Sequence, residues 1–115
     1  MTITRIDPGP RLAEAVIHDD RVYLSGMIPE DTSLDITGQV KQALAEIDAL
    51  LKRADTDKTK ILSAVIWLKD IGDFAAMNAV WDAWVVPGQT PARATVQARF
   101  NDPDMKVEIM VVAAR

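Results

Sequence analysis

The sequence predicts an α+β domain, with two helices packed on one face of a mixed β-sheet. Two kinds of periodicity point there. Short runs alternate apolar and polar residues, the period of a strand, and two longer stretches repeat apolar residues every three or four positions, the period of a helix. Their order along the chain is strand, strand pair, helix, strand, helix, strand pair, which is an α+β pattern.

Residues 2–6 alternate and predict a short strand, broken by Asp7-Pro8-Gly9-Pro10. Residues 12–17 and 21–27 predict two more strands, joined by a hairpin turn at His18-Asp19-Asp20. A helix follows, in which Ile36, Val40, Ala43, Leu44, Ile47, Leu50 and Leu51 form one apolar stripe. Asp35 is its expected N-cap, and Asp48 and Lys52 form a favourable pair one turn apart. Gln39, Gln42, Glu46 and Arg53 are assigned to its polar face.

After Asp55-Thr56-Asp57-Lys58, the run Ile61–Lys69 is apolar and rich in β-branched residues, as expected of a central, buried strand. A second helix starts near Asp73, carries Phe74, Met77, Val80, Trp81 and Trp84 on one stripe, and stops at Pro87-Gly88. Strands at about 92–100 and 105–113 flank the turn Asn101-Asp102-Pro103-Asp104 and predict a terminal hairpin. The strands offer apolar groups on both sides, among them Val22, Leu24, Val65, Trp67, Val107 and Ile109. Helices on one face leave the other to be covered, and self-association is the economical cover.

The 115 residues fit a single domain, 1–115, with no internal repeat. A net charge of −4 with no basic stripe weighs against nucleic acid as a partner. The absence of cysteine excludes disulfides, thiol nucleophiles and thiolate metal sites. The N-terminus lacks the apolar stretch of a signal peptide, and no apolar run approaches a bilayer span, so the expected location is cytoplasmic, with no membrane partner. No zinc spacing, P-loop, dinucleotide glycine pattern or serine-centred triad is present, so neither cofactor nor metal is expected. His18 beside Asp19 and Asp20 reads as a solvated turn.

Arg93 is the residue that speaks most directly about chemistry. Read as a strand, Arg93, Thr95, Gln97 and Arg99 share one face, and Ala94, Val96, Ala98 and Phe100 the other. A guanidinium on an apolar strand requires an anion, which is either an acidic neighbour or the carboxylate of a ligand. Glu108, within Val107-Glu108-Ile109-Met110-Val111-Val112, either pairs with a cation at an edge or positions a water and exchanges a proton. A terminal hairpin would set Gln97 opposite Glu108 and leave Arg93 on the order of 13 Å from Glu108 within one subunit. A site that uses both would then draw them from different subunits. Ser25-Gly26 closes a strand where a glycine permits close backbone approach. Asn78 interrupts the apolar stripe of the second helix. Trp67, Trp81 and Trp84 are assigned to core or interface.

Five segments follow one another in a characteristic order: Ser25-Gly26-Met27-Ile28-Pro29, the strand ending in Lys69-Asp70, Asp73-Phe74-Ala75-Ala76-Met77-Asn78, Pro91-Ala92-Arg93 and Val107-Glu108-Ile109. Together they resemble the RidA family, also called YjgF-type reactive-intermediate deaminases, over nearly the whole chain. The resemblance implies a chorismate-mutase-like fold and a homotrimer with ligand clefts between subunits. It implies hydrolysis of enamine or imine intermediates of the 2-aminoacrylate type to 2-keto acids and ammonia, without a cofactor. By position, Arg93 resembles the family's carboxylate-binding arginine and Glu108 the carboxylate that helps place the hydrolytic water. Ser25 and Gly26 resemble the loop lining the cleft, and Phe74 and Asn78 match further positions near it.

Two departures suggest a divergent branch. The family's better-known branch has a tyrosine after Gly-Pro near the N-terminus, where Leu12 stands here, and often a cysteine where Thr95 stands. Leu12 makes that wall of the cleft more apolar. A non-catalytic homotrimer that binds or senses small carboxylates is the alternative reading. Ribonuclease action, sometimes attached to relatives, is disfavoured by the acidic charge.

Overall fold

The computed structural model describes residues 2–115. Six strands form one sheet: β1 (Ile3–Ile6), β2 (Ala15–His18), β3 (Arg21–Leu24), β4 (Ile61–Leu68), β5 (Ala92–Gln97) and β6 (Val107–Ala114). Their order is β1-β2-β3-β6-β4-β5; only the β4–β5 pair is parallel, so the sheet is mixed as expected. Two helices, α1 (Ile36–Arg53) and α2 (Phe74–Trp84), lie on one of its faces.

The alternation of each strand builds that face. Val107, Ile109, Val111 and Ala113 of β6 are fully buried, and their cross-strand partners Leu68, Ile66, Ala64 and Val22 share their side of the sheet. Val40, Ala43, Leu44, Ile47 and Leu51 of α1 close over them in one continuous core, with Met77 and Trp81 of α2. Asp35 caps α1 as predicted, its carboxylate accepting from the Gly38 amide at 2.9 Å. The β2–β3 link is the predicted hairpin: His18 pairs with Arg21, and Asp19 takes a left-handed φ of 55° in the turn.

The helix-free face carries Tyr23, Val65, Trp67, Val96, Met110 and Val112. Tyr23, Val96 and Met110 are 41%, 46% and 37% exposed, so this side is apolar and uncovered within one chain, as the two-sided pattern of the strands implied.

The fold departs from the expected one in several places. The terminal strands do not form a hairpin. β4 lies between them, parallel to β5 and antiparallel to β6, so Glu108 faces Trp67 rather than Gln97. The β4–α2–β5 crossover makes β5 a parallel neighbour of β4, and β6 returns to the other side of β4, leaving the outer edge of β5 unpaired. β2 begins at Ala15, leaving Leu12 in the preceding loop, 56% exposed, and β5 ends at Gln97. Gln39 is not on a solvated face but fully buried. Its side-chain nitrogen donates to the carbonyls of Thr32, Leu34 and Asp104, and its oxygen accepts from the Lys106 amide. Asp48 is not paired with Lys52; it accepts from the Trp84 indole at 2.9 Å.

Candidate functional site

Arg93 pairs with Ala64 across the sheet, which places it on the helix side at the β5 edge. There α2 holds it. Phe74, Asn78 and Trp81 stand four and three residues apart and so share one stripe of the helix. Asn78 Oδ1 accepts from Arg93 Nη1 at 2.8 Å. The guanidinium carbon lies 5.4 Å from the centre of Trp81 and 5.7 Å from that of Phe74. Among the described residues no carboxylate lies within ion-pair distance of Arg93. An amide oxygen and two π faces therefore stabilise the cation without neutralising it, and its other N–H groups stay free to donate. Thr95, two residues further along the same face, has a buried hydroxyl with no hydrogen-bond partner.

Glu108 stands on the opposite face. Its partner Trp67 is three residues from Ala64, the partner of Arg93, and an odd offset changes the side of the sheet. Three residues along and two strands across put the two Cα atoms about 14 Å apart. Arg93 and Glu108 thus make no contact within one subunit, as expected, although the reason is the interposed β4 and not a hairpin.

The segment after β3 brings Ser25 and Gly26 to Glu108. Met27 exchanges backbone hydrogen bonds with Ile109, at 2.7 and 3.0 Å, which leaves Gly26 diagonally across from Glu108, within reach of its side chain. A Cβ on Gly26 would fall 2.1 Å from Glu108 Oε2, so the carboxylate occupies the space that any side chain at 26 would need. Ser25 Oγ donates to Glu14 Oε2 at 3.5 Å, the long limit of a hydrogen bond. Leu12, Ser25, Gly26 and Ile28, with the carboxylates Glu14, Glu30 and Glu46, line an adjoining cleft of about 450 Å³ to which Glu108 does not contribute. A larger hollow of about 560 Å³, at Lys69, Gln97, Arg99 and Phe100, contains none of the predicted residues.

The predicted residues therefore gather as two groups: Arg93, Asn78, Phe74 and Thr95 at one sheet edge, and Ser25, Gly26 and Glu108 at β6, with Leu12 joined to Ser25 and Gly26 by the adjoining cleft but not brought to Glu108. Trp81 and Glu14 belong with them and were missed. The spacing of Phe74, Asn78 and Trp81 was the available signal for Trp81. Near the second group, Arg53 makes a bidentate pair with Asp7 at 2.8 and 3.0 Å, which holds the Asp7 carboxyl below the ordinary carboxylate range and raises Arg53. Among the described residues no cluster of three or more histidines and carboxylates suits a metal ion, and no helix is long and apolar enough to cross a membrane.

A family model described as "Endoribonuclease L-PSP" matches residues 2–115. The RutC family protein YoaB of Escherichia coli (strain K12) is 49% identical over 114 residues, covering 99% of each chain. A protein of Salmonella typhimurium (strain LT2) named 2-iminobutanoate/2-iminopropanoate deaminase is 31% identical over 101 residues, covering 82% of this chain and 79% of its own. The crystal structure of NMB1025 from Neisseria meningitidis, a member of the YjgF protein family, superposes with a TM-score of 0.97 at 45% identity, over 100% of this chain and 96% of that one. The sheet order, the two one-sided helices and these likenesses agree: this chain belongs to the Endoribonuclease L-PSP family, also called the YjgF/RutC/RidA family.

Proposed function

We propose that the protein hydrolyses reactive 2-imino acids and their enamine tautomers to 2-keto acids and ammonia, in clefts formed between the subunits of a homotrimer. The observation that carries this reading is Arg93: a cation fixed by Asn78, Trp81 and Phe74 and left without a carboxylate of its own. Such a guanidinium suits the carboxylate of a small imino acid, which it grips through two parallel hydrogen bonds. The uncovered apolar sheet face supports assembly, and the separation of Arg93 from Glu108 supports a cleft that takes one from each of two subunits.

The chemistry asked of the protein is modest. The imine carbon is already electrophilic, so positioning supplies most of the rate. Glu108 accepts a proton from water as the water oxygen bonds to the imine carbon, and passes that proton to the nitrogen to give the carbinolamine. Glu108 then takes the hydroxyl proton and delivers it to the nitrogen as the C–N bond breaks, so both protons of the water leave with ammonia and its oxygen stays as the keto oxygen. Leu12 and Ile28, both exposed at the cleft, suit an apolar substrate side chain. The net charge of −4 opposes phosphodiester binding and disfavours RNA as substrate.

The test is a panel of imines generated in situ by an amino-acid oxidase, with ammonia and keto-acid release followed. Acceleration that Arg93→Ala removes is expected. Arg93-dependent binding of keto acids without turnover of any imine would overturn the enzyme and establish a carboxylate-binding trimer.

A further inference from the structure

We infer that Trp81 is a positioning residue for the substrate carboxylate, acting through Arg93; this rests on the reading of Arg93 as the carboxylate receptor. Three features of the indole support it. Trp81 is 5% exposed and belongs to the core, so its ring is a fixed surface, whereas Phe74, which also approaches the guanidinium, is 41% exposed. Its centroid is the nearer of the two, at 5.4 Å against 5.7 Å, and an indole face attracts a cation more strongly than a phenyl face does. It is also buttressed from behind. Trp84 packs on it at 5.5 Å, Asp48 accepts the Trp84 indole N–H at 2.9 Å, and the Lys58 ammonium lies 5.1 Å over the Trp84 ring.

A long arginine side chain loses rotamer freedom when it grips a ligand, and that loss weakens binding. Holding the guanidinium in advance between a rigid indole and the Asn78 amide removes part of that penalty. An acidic holder would do the same but would consume the charge. An aromatic holder orients the cation and leaves it attractive to a carboxylate. Thus Trp81 would set affinity for the carboxylate end of every substrate and leave the proton transfers at Glu108 unchanged.

The experiment compares Trp81→Phe and Trp81→Leu in the full-length protein, with pyruvate as the probe ligand measured by calorimetry. Thermal denaturation checks folding, and the phenylalanine variant keeps the test open if the leucine variant unfolds. The expected result is pyruvate binding weakened about threefold to tenfold in Trp81→Leu and less in Trp81→Phe. In turnover the loss is expected in KM, with kcat and its pH profile retained. A second readout uses Trp67→Phe with Trp84→Phe, which leaves Trp81 as the sole indole; its emission should change saturably with pyruvate, and not when Arg93→Ala is added. Arg93-dependent binding that folded Trp81 variants leave unchanged would overturn this inference alone. Absence of Arg93-dependent binding in the unsubstituted protein would overturn the functional reading and this inference with it.

Discussion

The Glu108 carboxylate lies across the Cα of Gly26, filling the place of a side chain there: a Cβ on the glycine would stand 2.1 Å from Glu108 Oε2. The Met27–Ile109 backbone pairing fixes the two backbones there, so only the Glu108 side chain can give way. Gly26→Ala should therefore swing the carboxylate aside. The group that moves is the end of a flexible side chain, so the stability cost should be under about 1 kcal/mol. A displacement near 1 Å at a catalytic group can cost on the order of 100-fold in rate. Ammonia release and thermal denaturation, measured side by side, check this; an alanine variant with full activity would refute it.

Arg93 and Glu108 occupy opposite faces of the sheet, which makes subunit mixing informative. Arg93→Ala and Glu108→Gln proteins should each be inactive alone. Unfolded together and refolded, they should recover roughly a quarter of the activity if every cleft takes one residue from each of two symmetry-related subunits. Clefts built within one chain would recover none.

The Asn78 amide holds the cation without neutralising it, so Asn78→Asp tests whether that neutrality matters. The substituted carboxylate would pair with Arg93 and compete with the ligand. Keto-acid affinity is expected to fall at least about tenfold, while fold stability is kept or increased. Calorimetric titration and a denaturation curve give the two quantities.

Gln39 joins α1 to the loops at Thr32–Leu34 and Asp104–Lys106 through four hydrogen bonds. Gln39→Leu fills most of the volume but leaves one amide and three carbonyls without that partner. Urea denaturation should show a loss of about 2–4 kcal/mol.

The Asp7–Arg53 pair predicts a pH dependence whose sign is fixed. Arg53 lowers the folded-state pKa of Asp7 below its unfolded value, so the pair's contribution is full above the unfolded carboxyl pKa of about 3.9 and is lost as pH falls through the lower folded value. Asp7→Asn should lower the denaturation midpoint at neutral pH, and the difference should shrink as pH falls below the unfolded carboxyl pKa. Both groups are solvent-accessible, so added salt should shrink the neutral-pH difference.

Much of this arrangement was legible in the sequence because it rests on local periodicity. The alternation in β6, the stripe of α1 and the Asp35 cap all depend on residues a few positions apart. The partner of β5 was not legible. Asn101–Asp104 is a sound turn signal, but a turn says that the chain reverses and not which strand receives it. β6 pairs with β3 and β4 and passes over the free edge of β5, a long-range pairing that leaves no mark near residue 101. Gln39 was misassigned because its polarity outweighed its place beside Val40 and Ala43 on the buried stripe. The grouping of Phe74, Asn78 and Trp81 was written in their spacing, but reading it as a holder for Arg93 required knowing that α2 packs over β5.

β6 serves two constituencies on alternate residues. Positions 107, 109, 111 and 113 answer to the helices, while 108, 110, 112 and 114 face away from them. A scan of substitutions along this strand should thus give two interleaved tolerance profiles, one scored by folding and the other by assembly and turnover. A single-residue deletion between Asp104 and Val107 would exchange the two sets, driving Glu108 under α1 and turning the core valines outward.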